Sequence, residues 1–141
     1  MKFIVSTLLF CSVLLTSSLC YADITPLITQ EQFLKSQQSS NKQSSNISII
    51  DVRSVEEFND GHIPGAINIP HNQIQDHLEL LLTLQRQPVV VYCRSGRRAA
   101  IAEKAMAELG LKDVHHLEGD WLSWQEKSLP VSTKHERITT K

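Results

Sequence analysis

Apolar and polar positions fall into two alternating kinds of block. Residues 47–52 and 88–92 are short, continuous runs dominated by β-branched side chains, the pattern of strands covered on both faces in a parallel sheet. Residues 66–69 and 114–117 are weaker strand candidates. Elsewhere the apolar positions recur at helical spacing. Ile74, Leu78, Leu81 and Leu82 share one face, and Ile101, Ala105 and Leu109 another, with Gly110 placed to stop the latter helix. Thr29 with Gln32, and Ser54 with Glu57, match the reciprocal capping box that opens a helix, and Gly61 is placed to end the second. Trp121 and Trp124 are expected to pack a terminal helix onto the sheet. Alternation of this kind predicts an α/β fold, an open and mostly parallel sheet flanked by helices on both faces.

Two stretches depart from the pattern. Residues 36–46 are almost wholly Ser, Gln, Asn and Lys and read as a polar surface loop, and residues 132–141 read as a flexible C-terminal tail. There are no internal repeats. The first residues have a different logic: Lys2 precedes an apolar run over residues 3–15, which fits the core of a secretion signal and is short for a membrane span. Cys20-Tyr21-Ala22 places small side chains three and one positions before Asp23, so cleavage is expected after Ala22. An uncleaved anchor would need residues 16–19 to extend the run at a polar cost. Leu19 is too bulky to precede a lipid-carrying Cys20.

Removing residues 1–22 from a chain of 141 leaves 119, enough for one domain with a single core, expected over residues 23–131. Without Lys2 the balance is 13 basic against 15 acidic residues. That composition gives no footing for nucleic acid, nor for stable contact with an anionic membrane after signal cleavage.

Cysteine usage changes the picture more. Cys11 and Cys20 fall within the expected signal, so the exported chain would keep Cys93 alone and could form no internal disulfide. A solitary thiol in an oxidising compartment is a liability unless it is packed away or put to use. Cys93 directly follows the strongest strand, and in open α/β sheets ligands bind just beyond the carboxyl ends of the strands.

The segment Cys93-Arg94-Ser95-Gly96-Arg97-Arg98-Ala99 is a short turn between that strand and a long helix. Gly96 opens backbone angles that let successive N–H groups converge on one anion. The first turn of the next helix adds unpaired donors and the positive end of its dipole. Arg94, Arg97 and Arg98 add positive charge. All of these favour a thiolate over a thiol, and the thiolate is the nucleophile.

This loop resembles the active-site loop of the rhodaneses, in which a cysteine and the following residues cradle a persulfide. Two further stretches extend the likeness. Residues 50–53 with 56–58 and 61–70 are similar to the family's amino-terminal signature, and residues 114–121 to its carboxy-terminal one. The resemblance implies a single-domain sulfurtransferase of the periplasmic kind, working without a cofactor. Cys93 would carry sulfur from a small anionic donor such as thiosulfate to cyanide or a thiol, with Arg94 to Ala99 as the binding loop. One position departs from the family pattern: Asp120 stands where a second glycine is usual, and is expected to cap the helix beginning near Trp121.

Rival readings are set by particular residues. Cysteine phosphatases and arsenate reductases place an arginine six residues after the nucleophile, whereas here that position is Ala99 and Arg98 comes one place too soon. A non-catalytic binding module on the same fold is the alternative of another class; such versions commonly lose the loop cysteine, which this chain retains. Asp51 and Arg53 sit at a strand end on the active rim, and an ion-paired scaffold is favoured over a direct role. His115 and His116 are adjacent, face opposite sides of a strand and lack metal-ligand spacing, as His62 does in its Pro64-Gly65 turn, so no metal is expected.

Overall fold

The computed structural model describes residues 25–38 and 47–133. The expected signal with its cleavage point, most of the polar loop and most of the tail lie outside the described residues. Elements run in the order β1 (Leu27–Ile28), α1 (Gln30–Gln38), β2 (Ser48–Asp51), α2 (Val55–Asp60), β3 (Ile67–Asn68), α3 (Leu78–Leu84), β4 (Val89–Tyr92), α4 (Arg97–Glu108), β5 (Val114–Leu117) and α5 (Asp120–Glu126), with a 3₁₀ turn at Gln75–His77. The five strands form one sheet in the order β1-β5-β4-β2-β3, and every pairing is parallel.

Strand β4 lies at the centre and is buried along its whole length, which is why its sequence shows no polar alternation. Its side chains still alternate in space. Val89, Val91 and Cys93 join a core with Leu81 of α3 and Ala99, Ala102 and Met106 of α4. Val90 and Tyr92 join the opposite core, with Phe33 of α1 and Trp121 and Trp124 of α5. The period-two geometry of the strand thus turns Cys93 toward α4, the helix that begins beside it.

Both predicted capping boxes are present. Gln32 N–H donates to Thr29 Oγ1 at 3.1 Å while Thr29 N–H donates to Gln32 Oε1 at 2.9 Å. Ser54 and Glu57 make the same exchange at 3.3 and 3.1 Å.

Other expectations need correction. Helix α1 continues to Gln38, so the first three residues of the polar stretch 36–46 are helical. Ser132 is not frayed, because its backbone exchanges N–H···O bonds of 2.9 Å with His62. Leu82 and Ile101 are exposed. The chain enters α3 through the 3₁₀ turn, whose tighter winding puts Ile74 and Leu81 inward and Leu82 outward. Helix α4 docks instead through Ala99, Ala102, Glu103 and Met106, with Ala105 and Leu109 only flanking that contact. Strand β1 was not anticipated: it is two residues long and exists through its pairing with His116 and Leu117.

Candidate active site

Residues 93–96 carry the chain from the end of β4 to the start of α4. Gly96 takes φ 93°, in the left-handed region that side chains resist. The turn it makes aims its N–H back at Cys93, whose Sγ accepts at 3.1 Å. Gly96 C=O accepts from Ala100 N–H at 2.9 Å and so starts the helix. Arg94, Ser95 and Arg97 are exposed, Gly96 and Arg98 half-buried, and Ala99 fully buried. Cys93 itself is 1% exposed and packs among core side chains. Its sulfur therefore lies beneath the loop, deeper than a rim position suggests.

The start of α5 sutures the loop from behind. Trp121 N–H donates to Cys93 C=O at 3.0 Å and Leu122 N–H to Arg94 C=O at 3.2 Å. Asp120 does not cap the helix as expected. Gly119 occupies the cap position with no side-chain cap bond, and Asp120 Oδ1 accepts from Cys93 N–H at 2.7 Å. Asp120 has φ 51°, and this turned backbone swings its carboxylate away from the free N–H groups of its own helix. Asp is among the few side chains that tolerate such angles.

The arginines divide into two groups. Arg98 is bound by both Glu57 oxygens, at 2.6 and 2.9 Å, and this pair holds the Glu57 carboxyl down at about 2. Much of the Arg98 charge is thereby spent on α2, though the Cys93 sulfur adds a smaller attraction of its own. Arg94 in the loop and Arg97 at the start of α4 are exposed. Arg53 is a buried clamp: it binds Asp51 at 2.7 to 3.0 Å and donates to Gly61 C=O at 2.6 Å. Its guanidinium also lies 4.4 Å from the Trp121 ring centre. Asp51 and Arg53 thus form a buried ion pair.

Sequence reasoning missed one group under the loop. His116 of β5 contacts Glu103 Oε1 through Nδ1 at 2.6 Å and Asp120 Oδ2 through Nε2 at 3.0 Å. The bond to Asp120, then that to Glu103, raises the imidazole to about 10, so it carries both protons at neutral pH. The register that sets His116 beside Val91 brings it near the loop. A side-chain carbon on Gly96 would lie 3.3 Å from Asp120 Oδ2 and 3.6 Å from the His116 ring. One signal was available: Glu103 is an acid on the otherwise apolar docking face of α4. His115, by contrast, contacts Asp113 through Nε2, at 2.8 Å.

Comparisons with known proteins agree with this architecture. A thiosulfate sulfurtransferase of Escherichia coli K12 is 33% identical over 70 residues, which cover 50% of this chain and 67% of that protein. A helix-turn-helix transcriptional regulator of Mycobacterium tuberculosis is 36% identical over 106 residues, covering 74% of this chain and 43% of the regulator. Several curated relatives are longer proteins, of which the chain spans 63%, 44% and 43%. A rhodanese-like domain protein from Staphylococcus aureus, known from its crystal structure, superposes with a TM-score of 0.65 at 25% identity, over 78% of this chain and 99% of that one. The family model for the rhodanese-like domain matches residues 29–127, and the chain belongs to that family.

Proposed function

We propose that the protein is a sulfurtransferase that carries sulfane sulfur on Cys93, as a persulfide, between a small anionic donor and a thiophilic acceptor. The observation that carries this reading is the inward N–H of Gly96, 3.1 Å from Cys93 Sγ, in a turn between strand and helix. A donor there stabilises negative charge on sulfur where it forms. The sulfurtransferase name of the Escherichia coli relative supports the same chemistry.

With thiosulfate the exchange balances without an outside oxidant. The Cys93 thiolate attacks the outer sulfur, a new S–S bond forms, the donor's S–S bond breaks, and sulfite leaves with the bonding electron pair. Cyanide or a thiolate then attacks the terminal sulfur and releases the Cys93 thiolate. This is covalent catalysis in two half-reactions, and no cofactor takes part. Arg94 and Arg97, both exposed, attract the dianion. Because Cys93 is 1% exposed, the donor reaches it only as the outer part of the loop gives way.

We also propose that the protein acts after export, in a periplasm, with its amino terminus at Asp23. Amino-terminal sequencing of the exported protein tests this, and a chain that still begins at Met1 refutes it.

Thiosulfate should leave the purified protein heavier by one sulfur atom in intact-mass spectrometry. Cyanide or dithiothreitol should remove that mass, and Cys93→Ser should never gain it. The burial of Cys93 favours one other reading, a domain that binds a partner without transferring sulfur. An unchanged wild-type mass across several donors would favour that reading over the first.

A further inference from the structure

We propose that Asp120 and His116, backed by Glu103, act as positioning residues for the Cys93 loop: Asp120 fixes the Cys93 backbone, and His116 cancels the negative charge that Asp120 brings with it. The proposal rests on Cys93 being the nucleophile. It adds a function to three residues outside the loop.

The argument begins with a conflict. The bond from Cys93 N–H to Asp120 Oδ1, at 2.7 Å, holds the first residue of the loop in place. The same bond sets a carboxylate with 4% exposure against the residue that must become anionic. A buried like charge disfavours ionisation of its neighbour, so an uncompensated Asp120 would oppose the thiolate. His116 resolves the conflict by holding the other Asp120 oxygen at 3.0 Å. Glu103, itself 7% exposed, grips the far nitrogen of the ring at 2.6 Å and keeps it cationic. Four elements meet here: the loop, α4 through Glu103, β5 through His116, and α5 through Asp120.

Other charges near the sulfur do not replace this pair. Arg98 is engaged first by Glu57 of α2 and adds a smaller attraction to the Cys93 sulfur without touching Asp120, and Arg94 and Arg97 are solvent-exposed, where water screens them. Lys104, next to Glu103 on α4, is exposed and lies 4.0 Å from Glu108. Only His116 touches Asp120 as a cation among the described residues.

The test is the pH at which Cys93 reaches half its maximal rate of alkylation by iodoacetamide, read for wild type, His116→Gln and Asp120→Asn, with melting temperatures alongside. His116→Gln strips Asp120 of its counter-charge and should raise that pH by roughly one unit. Asp120→Asn keeps an oxygen for Cys93 N–H, removes the negative charge, and should move it downward. Glu103→Gln loosens the hold on the cationic imidazole, should raise that pH by less than His116→Gln does, and carries the comparison with Asp120→Asn if His116→Gln fails to fold. Opposite signs cannot come from a general loss of stability. Equal or absent shifts with lowered melting temperatures would overturn the proposal and leave the cluster purely structural. Alkylation requires no sulfur donor, so the shifts can appear in a protein that thiosulfate never loads. That outcome would remove the sulfurtransferase reading and keep this one.

Discussion

The Tyr92 hydroxyl receives the backbone N–H of Ile63 at 3.1 Å, and both residues are fully buried. Tyr92 ends the central strand, and Ile63 belongs to the turn that brings the chain from α2 to β3. One phenol oxygen therefore ties that turn to the strand carrying Cys93. Tyr92→Phe keeps the ring beside Trp121, whose centre lies 6.4 Å away, but leaves Ile63 N–H without its partner. A buried donor left unmet costs about 1 to 3 kcal/mol, and urea denaturation should show a loss in that range. A change below about half a kcal/mol would mean that the turn finds another acceptor. Most such single-residue pairings were not legible in the sequence, since Tyr92 and Ile63 are 29 positions apart. Glu103 and His116 are 13 positions apart, and their link depends on how α4 settles against β5.

At the scale of elements, the short helix α5 has the most exacting start. Gly119 takes φ 76°, and a methyl group there would lie 2.5 Å from Ser123 Cβ. Gly119→Ala thus combines left-handed backbone strain, roughly 1 to 2 kcal/mol, with a clash that α5 must shift to relieve. The shift would pull on Trp121 and Leu122, whose N–H groups hold the carbonyls of Cys93 and Arg94. Gly119→Ala should therefore lower stability and slow sulfur loading together, and Ser123→Gly in the same chain should restore part of both by opening space. If loading keeps its wild-type rate while stability falls, α5 does not set the loop. The glycine was visible as part of a signature, whereas the role of Asp120 was not, because the local capping rule points at its own helix and the actual partner, Cys93, lies in the loop that follows β4. Elements announced by local chemistry, such as the capping boxes of Thr29 and Ser54 and the apolar run of β4, were legible. Strand β1 and the docking faces of α3 and α4 were not, because neighbours decide which side of a short element is covered.

At the scale of the whole molecule, the His116, Glu103 and Asp120 group joins β5, α4 and α5, and stability should therefore depend on pH in a signed way. His116 is raised to about 10 from the 6.5 of an unfolded chain. The folded state then holds a proton that the unfolded state has released, so folding is favoured by that proton. This stabilisation is complete below about 6.5 and drains away as pH rises through about 10. Glu57 acts at the other end: it is held at about 2, so its contribution is present above about 4.5 and disappears as pH falls toward about 2. Unfolding free energies measured in urea across this range should form a plateau near neutrality with an alkaline decline. His116→Gln should be less stable near pH 7, since two buried carboxylates then face each other without the cation, and its alkaline decline should be much shallower. A His116→Gln profile parallel to wild type above about pH 7 would show that the imidazole titrates alike in both states. The charge balance beneath Cys93 would then be carried by some other group.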